Sequence, residues 1–207
     1  MLIVEGPDLV GKTTFCRALV RRADERGLFP AIYHHLSRLP STWDPERDYL
    51  PLVSPFVVQD RFHLSEIVYG HVTRGESFLA PGTASFIDET NARQGGMTLI
   101  FCAPDPAFIV EQHQKRGDQM FPLEKILEVN EMYCRLIDTR ETPYLCKPPG
   151  GTREVVRYSL DDSPSALSRG VAVLPGPGPF PAESPLVDVV LDAWTARLQA
   201  AGFAPRR

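Results

Sequence analysis

With 207 residues, 43% of them apolar and 23% charged, the chain has an ordinary globular composition and the length of one domain of roughly 100–200 residues. A formal net charge of −4 excludes a general attraction to nucleic acid or to an anionic membrane, so any bound anion has to be held by a local site. No apolar run approaches the roughly 20 residues of a membrane span, nothing at the start reads as a signal peptide, and Cys16, Cys102, Cys134 and Cys146 form no CxxC pair, which together point to a cytoplasmic protein with free thiols.

In chain order, short apolar runs alternate with longer amphipathic stretches, the pattern of βαβ units around a parallel sheet. Leu2–Glu5 reads as a buried strand and Lys12–Arg26 as a helix, with Phe15, Ala18 and Leu19 on one face and Arg17, Arg21 and Arg22 on the other. Further strands are predicted at Ala31–Leu36, Pro55–Asp60, Thr98–Cys102 and Glu154–Ser159. Helices are predicted at Leu64–Arg74, Pro81–Gln94, Pro106–Lys115, Leu123–Arg140 and Pro185–Ala201. Pro40–Pro55 and Ser163–Pro185 read as irregular, the second being a surface excursion because Pro175-Gly176-Pro177-Gly178-Pro179 cannot hold a regular element. The expected architecture is a single α/β domain over 1–207, a three-layer sandwich with a five-stranded parallel sheet flanked by helices.

Gly6, Gly11, Lys12 and Thr13 match the Walker A pattern G-x-x-x-x-G-K-[ST]. The glycines let the backbone curl so that successive N–H groups point at phosphate oxygens, and the helix that follows adds the positive end of its dipole. Lys12 then reaches the outer phosphates of ATP, and the Thr13 hydroxyl is a ligand for Mg²⁺. The motif follows an apolar strand and opens a helix, which is the context it requires, so the expected three-layer sandwich is that of a P-loop NTPase. A second pair, Asp60-Arg61, ends the third predicted strand, where ligands gather in parallel sheets. Asp60 is suited to Mg²⁺ or to orienting an acceptor, and Arg61 presents a planar fork for a second phosphate.

From Leu2 through Glu5-Gly6-Pro7-Asp8 to Gly11-Lys12-Thr13-Thr14, the chain resembles the opening of thymidylate kinases and related deoxynucleoside monophosphate kinases, including compact ones of phage type. Asp60-Arg61-Phe62, with Ser65 and Tyr69-Gly70 downstream, is similar to their aspartate-arginine-aromatic motif, and Gln114-Lys115-Arg116-Gly117-Asp118 to the start of their mobile LID, here near 114–122. The resemblance covers about residues 1–140. It implies ATP and Mg²⁺ as cofactors, a small-molecule nucleotide acceptor, and a homodimer. It further implies that Asp8 contacts the acceptor sugar, that Arg61 binds the acceptor monophosphate, and that Arg116, with Lys115 beside it, stabilises charge on the transferring phosphoryl group. Tyr69 and Phe62 are expected around the acceptor nucleoside, and Asn91 and Arg93 on a helix flanking its pocket.

Two departures bear on the acceptor. The interval after the second strand holds His34-His35-Leu36-Ser37-Arg38 where thymidylate kinases carry an arginine loop, and His71 stands where glutamine often follows the tyrosine. Nucleoside kinases of this superfamily place a glutamate after the second strand; here there is no acid, which weakens a nucleoside acceptor although His34 and His35 are available as bases. Two rival readings stand beside monophosphate transfer: a kinase acting on a nucleoside or on a base or sugar within DNA, and a nucleotide-binding NTPase that transfers nothing.

Overall fold

The computed structural model describes residues 1–36, 42–103, 105–117, 121–139, 156–157, 171–175 and 185–203. Its elements are β1 (Leu2–Glu5), α1 (Lys12–Glu25), β2 (Ile32–His35), α2 (Pro45–Asp48), β3 (Val57–Asp60), α3 (His63–Arg74), α4 (Pro81–Arg93), β4 (Met97–Cys102), α5 (Pro106–Arg116), α6 (Leu123–Thr139), β5 (Val156–Arg157), β6 (Val171–Pro175) and α7 (Pro185–Ala200). Among the described residues no helix is long and apolar enough to cross a membrane.

All strands run parallel in the order β2-β3-β1-β4-β6-β5. Four of them, β2-β3-β1-β4, form the part of the sheet that carries the phosphate loop. The five-strand expectation is corrected at the far edge: the described part of the strand predicted at 154–159 is Val156–Arg157, and β6 lies between it and β4. β6 falls inside the stretch read as an irregular excursion, where the apolar run Val171-Ala172-Val173-Leu174 was outweighed by the prolines and glycines after it. The rest of 163–184 lies outside the described residues, as do Cys146 and the LID positions 118–120.

Two apolar cores follow from strand alternation, since successive side chains face opposite sides of a sheet. Leu2, Val4, Val58, Leu99 and Phe101 face α1 and α7, meeting Phe15, Leu19, Val190 and Trp194. Met1, Ile3, Ile100 and Cys102 face the other way, against Ile67, Val68, Ala84, Ile87, Val129 and Tyr133 of α3, α4 and α6. This is the three-layer sandwich expected from the sequence. The stretch predicted as irregular before β3 is partly ordered: Asp44 caps α2 by accepting from the Glu46 N–H at 3.0 Å, and a 3-10 turn follows at Leu50–Leu52. Trp43 and Tyr49 stack edge-on there, and Tyr49 packs edge-on against Phe62 at 4.8 Å, so aromatic burial overrides the local proline signal.

Candidate active site

β1 has neighbours on both sides, β3 and β4, and the chain turns from one flank to the other around it. That switch point is where parallel sheets open a crevice at their carboxyl ends. Residues 6–11 leave β1 there as a loop with left-handed backbone at Gly6 (φ 138°), Leu9 (φ 73°) and Gly11 (φ 83°). Gly6 is required twice over, because a Cβ at this position would stand 2.1 Å from the carbonyl oxygen of Phe101 on β4. Lys12 opens α1 with its side chain buried and its ammonium donating to the Pro7 carbonyl across the loop. Burial, reinforced by the Arg61 guanidinium, lowers the Lys12 ammonium to about 8. Thr14, the next residue but one, is exposed on the first turn of α1.

The register Val4↔Asp60 brings the end of β3 alongside the loop. Asp60 is fully buried. Its Oδ2 accepts from the Thr13 hydroxyl at 2.6 Å and from the Tyr33 hydroxyl at 3.0 Å, and lies 3.0 Å from His35 Nδ1. Its Oδ1 is buried without a hydrogen-bond partner. A buried carboxylate oxygen left open beside a threonine hydroxyl suits a hard divalent cation such as Mg²⁺. No group of three or more His, Cys, Asp or Glu side chains among the described residues could hold a metal ion, so a cation at Asp60 would take its other ligands from phosphate oxygens and water.

Arg61 follows with φ 67°, a left-handed conformation that costs a non-glycine residue on the order of 1–3 kcal/mol. It is held there from both sides: its N–H donates to the Val4 carbonyl at 2.9 Å, and Gln59 Nε2 donates to its carbonyl at 2.7 Å. The turn aims the guanidinium at Asp8, with which it forms an ion pair. Its central carbon lies 4.7 Å from the centre of the Tyr69 ring, and the Tyr69 hydroxyl donates to Asp8 Oδ2 at 3.3 Å. Burial opposes charge on Asp8, but Arg61 and Lys12 outweigh it and hold the carboxyl below its usual range. Burial keeps the Tyr69 phenol protonated.

Several expected site residues lie elsewhere. Phe62 is 1% exposed, enclosed by Tyr49 and His63, so it is a core residue closed to an acceptor base. Ser65 is buried too, donating to Glu5 Oε2 at 2.5 Å. Asn91 and Arg93 end α4 near the amino ends of β1 and β4: the Asn91 carbonyl accepts the Gly96 N–H at 2.8 Å, Met97 N–H donates to the Met1 carbonyl beside it, and Arg93 pairs with Glu89 at 3.2 Å. That helix points its carboxyl end away from the cradle, which corrects the pocket-flanking expectation. Arg116 is exposed at the end of α5, and Lys115 pairs with Glu111 at 2.5 Å. Past the undescribed part of the LID, Phe121 returns to within 5.9 Å of the Tyr69 ring.

Motif reading missed Tyr33 and Glu5 and, although it named His35 as an available base, it missed the partner of that side chain. Tyr33 and His35 sit on one face of β2, and pairing of β2 with β3 delivers both to Asp60; sequence spacing carries no sign of that partnership. Glu5 is fully buried behind the loop, and burial raises its carboxyl while His63 and Ser65 pull the other way. An acid inside an apolar strand was the visible signal. Cys16, Cys102 and Cys134 are not in disulfides, and burial raises the Cys16 thiol well above its ordinary value, so it is no nucleophile.

Fold and site together define a parallel α/β protein whose Walker A loop lies at the switch point of its sheet. No protein-family model matches the chain, and no curated protein matches it. Among solved structures it is similar to the YorR protein from Bacillus subtilis, crystallised in complex with phosphorylated GDP, with a TM-score of 0.56 and 22% identity over 67% of this chain and 79% of that one. At this identity the likeness establishes the shared fold.

Proposed function

We propose that the chain is an ATP- and Mg²⁺-dependent nucleotide kinase whose acceptor is a deoxynucleoside monophosphate. The observation that carries this reading is the convergence of two separate phosphate-binding devices on one crevice: the Lys12 loop, and Arg61 held by Asp8 and Tyr69. An NTPase that transfers nothing needs only the first. The nucleotide held by the structurally similar YorR protein is in keeping with it.

Phosphoryl transfer is mainly a matter of positioning and of stabilising charge. The loop N–H groups and Lys12 bind the outer phosphates of ATP, and Arg61 aligns the acceptor phosphate with them. Thr13 and Asp60 hold the metal, which when bound neutralises phosphate charge. An acceptor monophosphate is already an anion, so no residue has to remove a proton from it. Arg116 is assigned to the transferring group on the resemblance of its LID segment, where such an arginine is worth on the order of 10³–10⁵ in rate.

One observation favours a second reading. His35 Nδ1 lies 3.0 Å from Asp60, so an imidazole stands at the end of β2, where a hydroxyl acceptor needs a proton acceptor. A panel measuring ATP consumption over deoxynucleoside monophosphates, the matching nucleosides and a short DNA decides between them, with Lys12→Ala and Arg61→Ala as controls. Turnover on a monophosphate that both variants lose supports the proposal. Turnover on nucleosides or DNA alone transfers the assignment to the hydroxyl reading, and acceptor-independent hydrolysis leaves an NTPase.

A further inference from the structure

Glu5 takes no part in the chemistry above, yet its buried carboxylate is engaged from three directions. Oε1 accepts the Phe62 N–H at 3.0 Å and the Leu64 N–H at 3.1 Å. Oε2 accepts the Ser65 hydroxyl at 2.5 Å and lies 3.4 Å from the Tyr133 hydroxyl on α6. Phe62 is the residue that caps α3, and it offers no side-chain acceptor of its own. The unpaired N–H groups at the start of that helix are therefore satisfied by an acid from another strand, at the end of the helix dipole that favours negative charge.

The position of this acid matters as much as its bonds. Glu5 directly precedes Gly6, the first residue of the phosphate loop, and Phe62 directly follows Arg61. One side chain thus fastens the root of the loop to the corner that aims Arg61. That corner holds Arg61 at φ 67°, which a residue with a side chain keeps only when its surroundings over-determine it. The Val4 carbonyl and the Gln59 amide fix Arg61 itself, and Glu5 fixes the next peptide.

We propose that Glu5 is a positioning residue: by accepting the Phe62 and Leu64 N–H groups it locks the β3–α3 corner to the phosphate loop and so sets where the Arg61 guanidinium meets the acceptor phosphate. This rests on the kinase reading for its catalytic consequence but not for its structural content. The isosteric Glu5→Gln variant keeps the volume and one carbonyl acceptor and removes the charge; Ser65→Ala removes one tether and leaves both backbone contacts, a milder change should the first variant fold poorly.

Two measurements test it. Amide hydrogen exchange over residues 61–66 is expected to quicken at least about tenfold in Glu5→Gln, with α1 and β4 unchanged. In transfer assays kcat/KM for the monophosphate is expected to fall about 10- to 100-fold, the effect of a misplacement near 1 Å, while KM for ATP stays within about twofold. Introduced into Arg61→Ala, the same change is expected to cost less than about twofold, because two residues acting through one device are not additive. Unchanged exchange at the corner, or a loss that persists in full without Arg61, overturns the proposal. If the wild-type chain transfers phosphate to no nucleotide, the kinase reading falls, and the exchange experiment alone decides the role of Glu5.

Discussion

The guanidinium carbon of Arg61 lies 4.7 Å over the ring of Tyr69, and both side chains end on the carboxylate of Asp8. The three form a closed set in which the cation has a π face beneath it and an anion in front. Asp8 belongs to the loop that follows β1, so Arg61 is registered directly against that loop.

Arg61→Lys is therefore expected to behave almost as badly as Arg61→Ala. A lysine has neither the planar fork for a phosphate nor the flat face for Tyr69. Loss of a charge-assisted pair of about 1.5–3 kcal/mol predicts a fall in acceptor kcat/KM of roughly 10- to 150-fold in steady-state assays. A lysine variant at wild-type rate would remove Arg61 from the site.

Lys12 gives a pH signature. Its ammonium sits at about 8 in the folded protein against 10.5 for the free side chain. The folded state thus binds fewer protons between those values, and the penalty for burying the charge, present in full below pH 8, fades as pH rises toward 10.5. In thermal melts without nucleotide, Lys12→Met is expected to be more stable than wild type at pH 7, by no more than on the order of 3 kcal/mol. The gap should narrow above pH 8. Nucleotide affinity should move the opposite way, falling above pH 8 in wild type only, as calorimetry can follow.

Asp60→Asn retains an acceptor for Thr13 and Tyr33 but removes the charge that a divalent cation needs. Turnover is expected to drop on the order of 10²-fold and to require more Mg²⁺ for half-maximal rate, read from a Mg²⁺ titration. A drop in rate with an unchanged Mg²⁺ requirement would separate Asp60 from the metal.

Gly6→Ala places a Cβ 2.1 Å from the Phe101 carbonyl oxygen at a backbone φ of 138°. Since the clash is with backbone, β1 and β4 have to separate. A loss of about 3 kcal/mol or more is expected, which for a protein of this size lowers Tm by roughly 6–12 °C, together with loss of nucleotide binding.

Phe62 distinguishes core from pocket. With 1% exposure, Phe62→Ala should cost about 3–5 kcal/mol of stability in denaturant unfolding. Phe62→Leu should leave KM for the acceptor within about twofold. A large KM change in the leucine variant, without a stability loss, would return Phe62 to the acceptor site.

Much of the half that carries the Walker A loop was legible because its signals are local. Gly6 to Thr13 is one contiguous loop, and strand–loop–helix context follows from the run Leu2–Glu5 and the amphipathic stretch after Lys12. The longer helices were found to within a residue or two from their apolar periodicity, whereas the one-turn α2 was missed inside a stretch read as irregular. β6 was lost because five residues next to a proline-glycine run look like loop until β4 is there to pair with them. Asn91 and Arg93 were misplaced for a similar reason: a sequence shows that α4 exists but not toward which end of the sheet its last turn points.

The amino-acid sequence by itself determined that a Walker A pattern stands at the end of a buried strand, and it singled out Lys12, Thr13, Asp60 and Arg61 as candidate site residues. Only the tertiary structure decided their partners. Tyr33 and His35 reach Asp60 across β2–β3 pairing, Arg61 reaches Asp8 through a left-handed turn, and Glu5 reaches α3 from β1. Each of these contacts spans at least 25 residues of chain. They depend on strand order, register and the face a side chain takes, which are set by burying two apolar cores at once and are not encoded in any short segment.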